Sequence, residues 1–118
     1  MSLYQLSFLG DAVFELMVRE YAIEQNIVKL KDLQEFTLDF VTAKNQAYFA
    51  NMIGSTNILT EQEKDILRKG RNIKTHKSPK NCDAITYKWA TGFECLIGYL
   101  YITDKNKLKE VFNYIKSV

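Results

Sequence analysis

The chain is poor in everything that marks a linker, a secreted scaffold or a zinc protein. Its 118 residues hold one proline and five glycines, which leaves little room for disordered or low-complexity segments. One histidine (His76) and two separated cysteines (Cys82 and Cys95) cannot supply a usual four-ligand zinc site. Both cysteines fall in helix-like contexts, so reduced thiols in a cytoplasmic protein are the simpler expectation. The amino terminus lacks a basic segment followed by a long apolar one, so no secretory leader is expected, and Met1-Ser2-Leu3 carries no functional weight. The most apolar stretch, 85–102, is interrupted by Lys88 and Glu94 and is too polar to span a membrane. No phosphate-binding glycine loop, serine-nucleophile elbow or Cys/His pair is present. Internal repeats, heptads and strand-like alternation are also missing, so an all-α chain is expected.

Against these absences stands an ordinary globular composition. Hydrophobic residues make up 47% and charged residues 25%, enough for one core, so a single domain over 1–118 is expected. The first helix is expected to open at Gly10 or Asp11 and run to about Asn26, with Leu9, Val13, Leu16 and Met17 at helical spacing. Phe8, Phe14 and Val18 lie elsewhere around it, so that helix should be covered on two sides, by the core and by a subunit interface. A second helix is expected from Leu30 to about Asp39. A third, capped by Thr42, should run through Ile53, with Lys44, Asn45, Gln46 and Tyr48 on its solvated side. Thr60 and Glu63 form the pattern of a capping box for a fourth helix to about Arg71. Asp83 should cap a long helix to Ile102, where Gly92 and Gly98 permit close approach of another backbone, and Asp104 should cap a last one.

Charge is distributed unevenly. The chain carries a net +2, yet residues 64 to 80 contain seven basic residues and one acid, a local +6, so the remainder is −4. Helix ends favour some lysine and arginine, but Arg68, Lys69, Arg71 and Lys74 within seven residues exceed that need. With Lys77 and Lys80 they form a strip suited to an anionic partner. His76, among these lysines, reads as a surface residue or a contact to that anionic partner rather than a general base.

Two acids stand alone in apolar surroundings. Asp11 follows Gly10 inside Leu6–Glu15, and Glu94 is the one acid between Asp83 and Asp104. A carboxylate in such a setting is costly to bury unpaired, which leaves a helix cap, an ion pair or a metal ligand as uses for Asp11. Two lone acids on two apolar helices could meet over a divalent cation. Glu15, four residues after Asp11, shares its face and is either a helper or a surface acid.

These residues carry a family resemblance. Phe8-Leu9-Gly10-Asp11-Ala12-Val13 resembles the signature of ribonuclease III catalytic domains, and Phe93-Glu94-Cys95-Leu96-Ile97-Gly98 resembles that family's second acidic motif. Arg68-Lys69-Gly70-Arg71-Asn72, Pro79-Lys80-Asn81, Thr86-Tyr87 and Ala90-Thr91-Gly92 are similar to the Mini-III branch, which lacks a double-stranded-RNA-binding domain. The resemblance covers nearly the whole chain. It implies a helical homodimer with the signature helix at the dimer seam. It also implies cleavage of double-stranded RNA with Mg²⁺ (Mn²⁺ as a substitute) held by Asp11 and Glu94, giving 5′-phosphate products. It further implies maturation of precursor large-subunit (23S) ribosomal RNA with a ribosomal-protein helper, and Lys44 near the RNA. The chain departs from the common pattern at two positions. Ser7 stands where ribonuclease III has an acid four residues before Asp11, and Thr91 where it has one three residues before Glu94. Half of the usual carboxylates are therefore absent. The competing expectations are a catalytically inactive double-stranded-RNA-binding module and, less well matched to the basic strip, a protein–protein adaptor.

Overall fold

A computed structural model describes residues 1–74 and 82–118, and all regular structure among them is helical. Six helices follow in order: α1 (Leu3–Glu24), α2 (Leu30–Val41), α3 (Ala43–Gly54), α4 (Glu61–Arg71), α5 (Ala84–Thr103) and α6 (Lys105–Ser117). Four expected caps form as read. Thr42, Asp83 and Asp104 accept from the backbone N–H three residues on, and Thr60 and Glu63 close a reciprocal box.

The first helix starts earlier than expected, because Ser2 and Gln5 build a second capping box. Asp11 is therefore in mid-helix and caps nothing. The end of α1 and the connector match the expectation, with Asn26 in the left-handed region at φ 61°.

The long helix α5 is the centre of the molecule. From Ala90 to Leu100 all but Glu94 and Tyr99 are buried, which is the pattern of a helix enclosed on every side. Thr91 and Gly98 are buried there along with Phe93 and Leu96. Phe14 of α1 fills the middle of the core and meets Phe49, Phe93 and Phe112 edge to face, at 6.3, 4.9 and 6.1 Å between ring centres. Gln46, expected on a solvated face, is buried, whereas Lys44 is exposed. No helix among the described residues is long and apolar enough to cross a membrane. Cys82 precedes α5 rather than lying in a helix, Cys95 is buried within it, and both are free thiols.

The feature that positions the site is a backbone-to-backbone crossing of α1 and α5. A Cβ on Gly10 would lie 1.8 Å from the carbonyl oxygen of Glu94, and one on Gly98 would lie 2.2 Å from that of Leu6. Side chains larger than hydrogen are incompatible with these distances. The crossing therefore depends on glycine at both positions.

Candidate active site

The crossing dictates which side chains meet. Asp11 follows Gly10 on α1, and Glu94 is the residue whose carbonyl Gly10 touches on α5. Their carboxyl groups come within hydrogen-bonding reach of each other. The burden of burial falls differently from expectation: Asp11 is exposed, and Glu94 is the enclosed member. Burial, then the hydrogen bond and negative charge of Asp11, push the Glu94 carboxyl up to about 8. Ser7 works in the other direction. Its Oγ donates to Glu94 Oε1 at 3.0 Å and favours the ionised form. Beneath the pair, burial and then Glu94 push the Cys95 thiol up to about 12, so it is a packed group rather than a nucleophile.

Two carboxyls at such a distance are settled either by sharing a proton or by a cation. The donor set is chemically suited to a hard divalent ion, because it offers carboxylate oxygen and a hydroxyl and no soft ligand. Among the described residues no third carboxylate, histidine or cysteine joins the cluster.

The structure separates the remaining candidates. Glu15 pairs with Arg19 at 2.8 Å and, with it, rims an apolar groove of about 460 Å³ between α1 and α2. It is not among the groups that act on Glu94. Arg68 and Lys69 both bind Asp65, Lys69 at 3.0 Å, and together hold its carboxyl below the usual range. Arg71 lies over the Trp89 ring, 4.6 Å from its centre. Lys44 and Lys74 are exposed, and the Lys74 carbonyl accepts from the Tyr4 hydroxyl at 2.7 Å. His76, Lys77 and Lys80 lie outside the described residues.

Two positions gain a meaning that the sequence did not convey. Ser7 reads as a lost acid, yet its hydroxyl holds the remaining buried one. Thr91, the other missing acid, is buried and donates to the Tyr87 carbonyl at 2.9 Å, away from the pair. The role of Ser7 has no local signal, since Ser7 and Glu94 are separated by 87 residues.

Comparison with known proteins agrees with this geometry. The model of the ribonuclease III domain family matches residues 4–105, from the first turn of α1 to the start of α6. The chain is 39% identical to the Mini-ribonuclease 3 of Enterococcus faecalis over 115 residues, covering 96% of this chain and 87% of the other. It is 44% identical to that of Acholeplasma laidlawii over 108 residues, covering 92% and 86%. A crystal structure of a protein from Fusobacterium nucleatum superposes with a TM-score of 0.88 at 31% identity, over 99% of this chain and 94% of that one. The glycine-locked carboxylate pair thus sits within a match that spans almost the entire fold, and the chain belongs to the ribonuclease III family, among the Mini-ribonuclease 3 proteins, and is by that membership an endoribonuclease.

Proposed function

We propose that this endoribonuclease cleaves double-stranded RNA at the Asp11–Glu94 pair and depends on Mg²⁺, with Mn²⁺ as a substitute. The observation that carries the reading is the enforced meeting of two carboxyls, one of them half-buried and pushed up to about 8. Mg²⁺ suits them because it commonly binds through one or two carboxylates and keeps water and substrate phosphate as its other ligands. When bound, it neutralises the phosphate and lowers the pKa of a water to make a nucleophile. Glu94 is the half-buried anchor and Asp11 the solvent-facing ligand. Ser7 orients Glu94 and favours its ionised form. With half of the usual acids absent, the site should bind metal weakly and fill together with the substrate.

Duplex RNA is the substrate suited to the strip of Arg68, Lys69, Arg71, Lys74, Lys77 and Lys80, with Lys44 as a further contact. A domain without base-reading apparatus recognises A-form RNA through phosphates and 2′-hydroxyls, with steep salt dependence. Arg71 and Lys74 should contribute more than Arg68 and Lys69, whose charge Asp65 partly cancels. The acting unit in this reading is a homodimer of one-domain chains, residues 1–118 each. Its support is the apolar, exposed face of α1 formed by Tyr4, Phe8 and Ala12, one turn apart and flanked by Asp11. Maturation of precursor 23S ribosomal RNA in the cytoplasm, with a ribosomal-protein helper, follows from the family resemblance.

End-labelled duplex RNA provides the test. Cleavage is expected with Mg²⁺, and none with EDTA or in Asp11→Asn, with 5′-phosphate ends on the products. Tight duplex binding without cleavage under every metal condition would instead establish the silent binding module, for which Ser7 and Thr91 argue. A finer check addresses Ser7. Loss of an outer-shell partner typically costs 10–100-fold in metal affinity or activity. Ser7→Ala should accordingly raise the Mg²⁺ concentration for half-maximal cleavage roughly tenfold. An unchanged metal requirement would remove Ser7 from the site.

A further inference from the structure

A second cleft opens between α3, α4 and α5, with a volume of about 400 Å³. It is unrelated in position to the carboxylate pair: Trp89, which lines it, and Glu94 point about 140° apart around α5 at 100° per residue. Its floor is apolar, made by Leu67 and the Trp89 indole, and its rim is cationic, with Lys64, Arg68 and Arg71 beside Asn51. A second glycine contact builds it. A Cβ on Gly92 would lie 2.7 Å from the Leu67 carbonyl oxygen and 3.1 Å from the Arg71 nitrogen, so α4 presses directly on α5. That approach lays the Arg71 guanidinium over Trp89, three residues before Gly92.

The three rim cations are not equivalent. Arg68 is engaged by Asp65. Lys64 and Arg71 have no carboxylate partner among the described residues, and the undescribed segment 75–81 contains no acid. Two uncompensated cations over an apolar, aromatic floor suit a ligand that is anionic at one end and flat and apolar at the other. A guanidinium already stacked on an indole also offers its second face to a planar ring. The volume falls in the range of small-molecule pockets, about 300–1,000 Å³.

We infer that this cleft is a nucleotide site, taking one 5′-phosphorylated nucleotide with its phosphate on Lys64 and Arg71 and its base on the Arg71–Trp89 stack. Two sources share that chemistry: an unpaired nucleotide of a bound RNA strand and a free mononucleotide. The first rests on the RNA-cleaving function given above, and the second does not.

Trp89 is the sole tryptophan of the chain, so intrinsic fluorescence reports on this cleft directly. The full-length protein would be titrated in EDTA with adenosine 5′-monophosphate, inorganic phosphate, blunt duplex RNA and the same duplex bearing a short unpaired tail. Calorimetry would supply the affinities. Saturable quenching by the mononucleotide, or by the tailed but not the blunt duplex, is expected, and which of the two occurs identifies the source. Lys64→Ala with Arg71→Ala should weaken that binding at least tenfold. Arg71→Lys should keep phosphate binding but lose the preference for a base. Asp11→Asn should bind in the cleft as the parent does, which separates this site from the carboxylates. No saturable change with any ligand, equal affinity in the double variant, or phosphate bound as tightly as the mononucleotide would overturn the proposal. Cleavage of duplex in Mg²⁺ is read independently, so the cleft can fail while the nuclease reading stands.

Discussion

Replacing Glu94 by glutamine is expected to abolish cleavage and, at the same time, to raise the stability of the metal-free protein above pH 8. The two effects have one cause. A bound divalent ion is worth several kcal/mol of charge stabilisation in phosphoryl chemistry. At about 1.4 kcal/mol per factor of ten, losing its half-buried ligand should lower the rate by roughly 10³ or more. Stability responds in the opposite sense. The Glu94 carboxyl titrates near 4.5 when free and near 8 in the folded protein. Between those values the folded state binds more protons than the unfolded state, so the metal-free protein loses stability as pH rises through that window. Below pH 4.5 both states are protonated and the loss vanishes. Glutamine fills the same space without ionising, so the variant should not show this decline. Thermal melts in EDTA at pH 4 and pH 9 provide the measurement. The parent and Glu94→Gln should melt together at pH 4 and separate at pH 9, at roughly 4 °C for each kcal/mol regained. Cleavage at the parental rate, or identical pH profiles, would show that Glu94 is neither ligand nor strained acid.

Phe8→Glu is expected to convert a dimer into a monomer and to remove most of the cleavage activity with it. Phe8 is 85% exposed on α1, the longest helix among the described residues, next to Ser7 and three residues before Asp11. Its ring adds nothing to the core of its own chain. In a two-fold dimer the same patch faces itself, so each substitution acts twice. Burying a phenylalanine side chain contributes about 1.5–3 kcal/mol, so two copies contribute roughly 3–6 kcal/mol. Their loss alone should raise the dissociation constant by about 10²–10⁴-fold, at 1.4 kcal/mol per factor of ten. Two apposed glutamates add repulsion. Sedimentation equilibrium at micromolar concentration measures the effect, and circular dichroism should show helix content unchanged. A parent that is monomeric at these concentrations, or a variant that still pairs, would remove the α1 face from the dimer.

Much of the architecture was legible before any coordinates, and for a local reason. Helix caps are set by residues two or three positions apart. Thr42, Thr60, Asp83 and Asp104 therefore announced four helix starts correctly. The first helix, expected to open at Gly10 or Asp11, starts instead from Ser2 through the same capping chemistry. Gly10 is in fact mid-helix and serves as a contact point. Gln46 was misassigned because a polar residue on a short helix gives no sign of what packs over it.

The two lone acids, and the cations of residues 64 to 80, were determined by the sequence itself: they are identities, and their isolation among apolar neighbours is a property of the chain. How these groups are shared out was decided by the tertiary structure alone. It placed Asp11 at the surface and drew Glu94 further in, turned Ser7 from a missing acid into a donor, and set Arg71 on Trp89. Each of these results depends on where two helices cross. A crossing is fixed by backbone contact between residues such as Gly10 and Gly98, far apart in the chain, and no pattern confined to one helix encodes its partner.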